Sequence, residues 1–351
     1  MLPLAVLAKA QRDLLALPGT GISILEISHR SKQFGEIIEQ AEFNLRKLLA
    51  IPEDYRVLFM QGGASTQFAT IPMNFLAGSG KAADFILTGT WGKKAIKEAK
   101  TQGDTRVVWD GAETNYDRVP AASDLDFNPD AAYCYFVSNE TIQGVQFPAE
   151  PDTGEVPLIC DCSSDIMCRP IPIERYGMIF ACAQKNCGPA GVTIVIIRED
   201  LLERSPATIP SMLNYRVFAE GKSLMNTPPC FPIYIVKLVT DWLLEDIGGL
   251  EKMAQINEHK VELVYDAINK CAGFYEAHAQ PGSRSLMNVA FRLANTELDG
   301  PFLDQAASRK LAALKGHRSV GGCRASIYNA MPTEGVQLLH DFMIEFAEKN
   351  G

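Results

Sequence analysis

The chain has 351 residues, 47% hydrophobic and 21% charged, with a formal net charge of −9. That length and apolar content allow one large core plus a smaller one, and exclude intrinsic disorder. The negative balance excludes a nucleic-acid footprint or an anionic membrane surface, so any anionic ligand must be held by local cations.

Pro3 followed by Leu4, Leu7, Leu14 and Leu15 predicts an amphipathic helix with proline in its first turn. A signal peptide is not expected, because no basic region comes first and Lys9, Arg12 and Asp13 interrupt the apolar residues. Phe34, Ile37, Ile38, Ala41, Leu45, Leu48 and Leu49 recur at helical spacing and predict a second helix ending near Ile51-Pro52. A strand over 56–60 runs into Gly62-Gly63-Ala64-Ser65-Thr66 and a helical stretch through Asn74. Strand-like runs recur at 85–88, 106–109, 132–137, 156–160, 178–183 and 192–197, mostly separated by helical or loop material. The alternation predicts an α/β fold.

From Pro232 the character changes. Helical patterns over 233–247 and 250–271 are hinged at Gly248-Gly249, followed by a strand-like run over 287–293, a helix through Leu311 and a last amphipathic helix over 334–348. We expect a large domain over 1–247 and a small α+β domain over 248–351. No stretch is long and apolar enough to span a bilayer. Nine cysteines, mostly in apolar contexts, fit buried thiols in a reducing compartment and hence a cytoplasmic protein. Cys160, Cys162 and Cys168 have no matching second Cys/His pair, so no metal site is expected.

Two apolar runs end in chemistry. One leads into Ala183-Gln184-Lys185-Asn186, the other ends at Asp161. Ligands of α/β sheets sit at the ends of the parallel strands, and a lysine placed there is costly unless it is used. Pyridoxal phosphate requires this pair, an amine for the Schiff base and a carboxylate to keep the pyridine nitrogen protonated. Taken alone, the same residues also read as a snorkelling lysine and a helix-capping aspartate.

Three further strand ends add weight. Gly62-Gly63-Ala64-Ser65-Thr66 reads as a phosphate cup at a helix start, or as an ordinary turn with an N-cap. Trp91 follows a strand where its indole can stack on a flat ring, although an isolated tryptophan is more often core. Thr141 follows another, placed to hydrogen-bond a ring hydroxyl or to serve a plain turn. Cations form a second group: His29-Arg30, His317-Arg318 and Arg324 are flanked by small residues and suit carboxylate or phosphate binding.

With these residues in view, the chain resembles the phosphoserine aminotransferase family over nearly its whole length. The shared stretches are Glu26-Ile27-Ser28-His29-Arg30-Ser31, Gln61-Gly62-Gly63, Ser138-Asn139-Glu140-Thr141, Asp161-Cys162-Ser163-Ser164, Ala183-Gln184-Lys185-Asn186, Asn226-Thr227-Pro228-Pro229 and the run from Gly316 to Ser326. The resemblance implies a fold-type I aminotransferase, whose mostly parallel seven-stranded sheet lies between helices, acting as a homodimer with pyridoxal phosphate at the interface. It implies amino transfer between glutamate and 3-phosphohydroxypyruvate, with a related phosphorylated keto acid of pyridoxine synthesis as a further substrate.

The resemblance also assigns roles. It gives Lys185 the Schiff base, Asp161 the pyridine nitrogen, Trp91 ring stacking, and Thr141 and Gln184 further cofactor contacts. Ala64 and Ser65 match the phosphate cup, and Asn226 and Thr227 match a pair that reaches the phosphate from the neighbouring subunit. Arg30 and Arg324 match substrate-carboxylate ligands; His29, His317 and Arg318 match positions around the substrate phosphate. Family members usually open with a short segment containing Asn-Phe and Gly-Pro, whereas here Met1 falls where the first helix starts. Some bacterial members carry Gly-Arg where Ala64-Ser65 stands, so backbone amides, Ser65 and the Asn226-Thr227 pair are expected to hold the phosphate without that arginine. Two alternatives stand beside this reading: a related fold-type I enzyme such as a cysteine desulfurase, for which Cys323 is the candidate nucleophile, and a non-catalytic binding protein.

Overall fold

A computed structural model describes residues 1–351. Helices α1 (Leu4–Leu15) and α2 (Lys32–Leu49) come first. Ser31 caps α2 by accepting from the Phe34 amide, and Ala50 ends it in the left-handed conformation. The chain then alternates through β1 (Tyr55–Gly62), α3 (Ala64–Phe75), β2 (Ala83–Leu87), α4 (Thr90–Ala99), β3 (Thr105–Asp110) and β4 (Cys134–Val137). A short hairpin of β5 (Asn139–Glu140) and β6 (Val145–Gln146) follows, then β7 (Leu158–Asp161), β8 (Met178–Cys182) and β9 (Gly191–Arg198). Short helices α5 (Glu199–Leu202) and α6 (Tyr215–Glu220) precede α7 (Cys230–Trp242) and α8 (Leu250–Lys270). Last come β10 (Tyr275–Ala277), β11 (Asn288–Leu293), α9 (Asp299–Ser308), β12 (Cys323–Ser326) and α10 (Thr333–Asn350).

Seven strands form one sheet in the order β1-β9-β8-β7-β4-β2-β3. Only β9 runs against its neighbours, so β1, β8, β7, β4, β2 and β3 point the same way. Strands β2, β4, β7 and β8 are buried at every residue, as expected when helices cover both faces. Alternation sorts the side chains. Tyr55, Val57 and Phe59 join the core under α1, α2 and α7, whereas Leu58 and Met60 join the core under α3, α4 and α6. A third core holds β10–β12 with α9, α10 and the second half of α8. Helix α8 therefore bridges two cores: Leu250 and Met253 pack with the large sheet, Val261, Val264 and Ile268 with the small one.

The seven strand runs expected from the sequence all occur in this sheet. The helical pattern over 233–247 divides into α7 and a π-turn over Leu243–Ile247, and α9 stops at Ser308, short of Leu311. Gly248 and Gly249 have φ of +87° and +108°, which explains the break before α8.

Candidate active site

The parallel strands deliver their C-terminal ends to one edge of the sheet, which makes that edge the place for a ligand. Along it, β8 leads to Lys185, β7 ends at Asp161, β4 leads to Glu140 and Thr141, and β2 leads to Trp91. Residues spread over 95 positions of sequence thus become neighbours in strand order.

Asp161 is buried, and Ser163 supplies its hydrogen bonds, the amide at 2.9 Å. Burial raises its pKa, opposed by the Lys185 ammonium and by Ser163. A buried carboxylate in this position suits a cationic N–H donor such as a protonated pyridine. The Lys185 amine lies 5.1 Å from the centre of the Trp91 ring. Trp91 is held at both ends. Its indole Nε1–H donates to Thr141 Oγ1 at 3.1 Å, and its backbone amide donates to both oxygens of Glu140 at 3.0 Å. Gly92 N–H adds a further bond to Glu140 at 2.9 Å, so Glu140 caps α4 from across the sheet. Gly89 makes room for this: a Cβ there would stand 2.6 Å from Glu140 Cδ. Burial raises the Glu140 pKa to about 7, against the Gly92 and Trp91 amides that lower it.

Arg324, on β12 of the small sheet, donates to the Thr141 carbonyl at 3.1 Å. The three-stranded sheet thereby places a guanidinium at the same edge. At the other end of the row, Gly62 with φ +98° turns β1 into α3, whose first amides, at Ala64 and Ser65, have no intrahelical acceptor. Asn226 donates to Gln61 Oε1 at 3.4 Å and Thr227 O accepts from Gln61 Nε2 at 2.7 Å, which brings this pair beside the turn. Asn226 Oδ1 is buried without a partner in the single chain.

The structure thus gathers Lys185, Asp161, Trp91, Thr141 and Arg324 into one cluster. His29, Arg30, His317 and Arg318 lie on two loops with no hydrogen bond to it; His317 Nδ1 is engaged by Ser319, Oγ at 2.8 Å and N at 3.2 Å. Gln184 is exposed beside Lys185, and the Met1 amine donates to the Lys185 carbonyl at 3.3 Å. Glu140 carried no signal of its own in the sequence, since its partners are backbone amides 48 and 49 positions away. The donor set fits pyridoxal phosphate: an amine just past one strand and a buried acid at the end of its neighbour, an indole face, and open helix-start amides for a phosphate.

Comparison with known proteins agrees. A family model described as aminotransferase class-V matches residues 1–339. The phosphoserine aminotransferase of Rhodopirellula baltica is 56% identical over 350 residues, covering 99% of this chain and 93% of that protein. That of Desulfosudis oleivorans is 51% identical, covering 100% of this chain and 96% of that one. Among solved structures, phosphoserine aminotransferase from Bacillus circulans subsp. alkalophilus superposes with a TM-score of 0.97 at 48% identity, covering 100% and 97% of the two chains. The pyridoxal-phosphate-bound enzyme from Trichomonas vaginalis does so with a TM-score of 0.92 at 40% identity, covering 98% and 97%. With the same strand-end cluster in hand, the chain belongs to the class-V aminotransferases, pyridoxal-phosphate-dependent enzymes, and among them to the phosphoserine aminotransferase family.

Proposed function

We propose that this chain interconverts 3-phosphohydroxypyruvate plus L-glutamate with O-phospho-L-serine plus 2-oxoglutarate, on the route to serine. The observation that supports it best is the row Lys185, Asp161, Thr141 and Trp91 along four parallel strand ends, with Arg324 entering from the small domain. Pyridoxal phosphate, when bound, supplies a conjugated ring that takes up the electrons of the substrate's α C–H bond. Lys185 Nζ is the amine that would hold the cofactor; once freed, it would take the proton from the amino donor's α-carbon as general base and deliver it as general acid to the cofactor's aldehyde carbon, with the keto acid running the same transfer in reverse. Asp161 would keep a proton on the ring nitrogen, and the Trp91 indole, fixed by Thr141 and Glu140, would offer its face to the ring. Gln184 adds a cofactor contact.

Ala64 and Ser65 hold the cofactor phosphate together with Asn226 and Thr227 of a second copy, so the working unit is a homodimer with the site at its interface. Arg30 and Arg324 take the substrate carboxylate; His29, His317 and Arg318 take the substrate phosphate. The division of the chain at 247/248 assigns the cofactor to the first domain and Arg324, His317 and Arg318 to the second. The thiol-rich interior suits the cytoplasm. The related phosphorylated keto acid of pyridoxine synthesis offers the same two anions and is a further candidate substrate. A desulfurase reading requires an exposed thiolate on a loop, whereas Cys323 is buried in β12 and burial pushes its thiol up to about 12.

The test is spectroscopic. With the cofactor loaded, phosphoserine and glutamate are each expected to convert its visible band, whereas serine, lacking the dianion, should leave it nearly unchanged. Conversion by serine as fast as by phosphoserine overturns the phospho-specific reading, and no conversion by glutamate overturns the transaminase. Borohydride reduction should attach the cofactor to Lys185; an adduct on another lysine removes that assignment.

A further inference from the structure

Away from the cofactor cluster the molecule buries one lysine completely. Lys260, on α8, is 0% exposed. It forms no ion pair; its Nζ instead faces the main-chain carbonyls of Ile327 at 3.2 Å, Tyr328 at 2.9 Å, Asn329 at 3.4 Å and Met331 at 3.2 Å. The ammonium has three N–H donors for these four oxygens and shares them. Burial lowers its pKa to about 8, so it keeps its charge at neutral pH, and the carbonyl dipoles favour that charge. The carbonyls belong to the segment between β12 and α10, which lies in neither a strand nor a helix and so lacks a regular ladder to satisfy them.

That segment reaches the Lys185 turn. The Asn329 amide donates to Asn186 Oδ1 at 2.9 Å, and Asn186 Nδ2 donates to the Ile166 carbonyl at 2.7 Å. Asn329 Nδ2 donates to Met167 O at 2.8 Å, while its Oδ1 accepts from Asn257 Nδ2 at 2.9 Å. Asn257 precedes Lys260 by three residues, hence lies on the same face of α8, and also reaches Cys168 O at 3.0 Å. Helix α8 therefore grips the segment through a charge and an amide, and the segment grips the residue next to Lys185.

We propose that Lys260 is a positioning residue, a built-in cation that fixes the 327–331 segment so that Asn329 holds Asn186 and, through it, the turn presenting the Lys185 amine. Its meaning for catalysis rests on the role of Lys185 proposed above. The coupling of Lys260 to Asn186 stands on the hydrogen bonds alone.

Amide hydrogen exchange on the full, cofactor-loaded protein tests it. Lys260→Met keeps the apolar stem and removes the charge; exchange over 327–331 and over 185–188 should both quicken, by about tenfold or more, while β4 and β7 keep their protection. Lys260→Ala leaves a space ringed by carbonyl oxygens, so propylammonium ions should slow exchange in both segments again. Tetramethylammonium, which has no N–H, should not. Faster exchange over 327–331 with no change over 185–188 would show a local structural lysine and overturn the proposal. If the methionine variant does not fold, the alanine variant assembled with propylammonium and then freed of it gives the same comparison; failure of the amine to act on either segment also overturns it. A borohydride adduct on a lysine other than Lys185 would remove the catalytic meaning and leave the exchange result to be judged separately.

Discussion

Asp161 shows how little of a residue's chemistry lies in its identity. It is buried near Lys185 with only Ser163 donating to it, and the role proposed for it, holding a proton on a ring nitrogen, depends on that setting. Asp161→Asn keeps the shape and loses the charge. We expect the half-reaction with glutamate to slow by the equivalent of roughly 3–5 kcal/mol, with cofactor retention, measured by dialysis, far less affected because the phosphate contacts remain. An unchanged stopped-flow rate would remove the role. Glu140 gives a pH signature instead. Its pKa is raised by burial from 4.5 to about 7, so the folded state binds this proton more tightly than the unfolded chain. The contribution is full below 4.5 and is lost as pH rises through about 7, a change on the order of 3 kcal/mol. Urea titrations at pH 5 and pH 8 should show wild type losing that much relative to Glu140→Gln; parallel curves would place Glu140 outside the buried network. The placing of Lys185 and Asp161 at neighbouring strand ends was legible in the sequence, because an apolar run leads to each. Glu140 was not, because a carboxylate that accepts from backbone amides leaves no mark on the residues that donate.

At the scale of elements, the buried strands announced themselves through unbroken apolar runs, and their α/β alternation named the fold class. The hairpin β5/β6 and the strands β10 and β12 did not, since two to four residues carry no period. Yet the β5 residue Glu140 holds Trp91, and β12 carries Arg324. The loop over 316–322 is another element whose shape only the folded chain explains. Gly316 N–H donates to Gly322 O at 2.9 Å, and a Cβ on Gly316 would lie 2.1 Å from Gly321 O. Gly322, at φ +56°, passes so close to β11 that a Cβ would meet Phe291 O at 2.5 Å. Gly316→Ala must therefore open the loop that carries His317 and Arg318, at a cost on the order of 1–3 kcal/mol. The expected kinetic result is a KM for phosphoserine raised more than that for glutamate, with the Lys185 adduct intact. Equal increases for both would mean that the loop does not read the phosphate.

On the scale of the whole molecule, one chain leaves unfinished business at its surface. Helix α1 buries Val6, Ala10 and Asp13 against α7, while Leu4, Leu7 and Leu14, outside that buried face, are 82%, 45% and 38% exposed. An apolar helix face of this kind is expected to be covered in solution. Asn226 and Thr227 tell the same story from the site: they stand beside Gln61, yet Asn226 keeps a buried oxygen without a partner. If a second copy completes the cofactor-phosphate site, cofactor affinity and dimerisation are linked, because a ligand that binds only the dimer stabilises it. Diluting the loaded protein through its dimer–monomer transition should then release pyridoxal phosphate over the same concentration range, and free cofactor should shift sedimentation towards the dimer. Asn226→Ala is expected to weaken both, by about 1–3 kcal/mol for a lost hydrogen bond to a charged phosphate, without unfolding the chain. Monomers that retain the cofactor as tightly as dimers would show that all phosphate ligands come from one chain, and would turn the Asn226-Thr227 pair into a contact within the subunit.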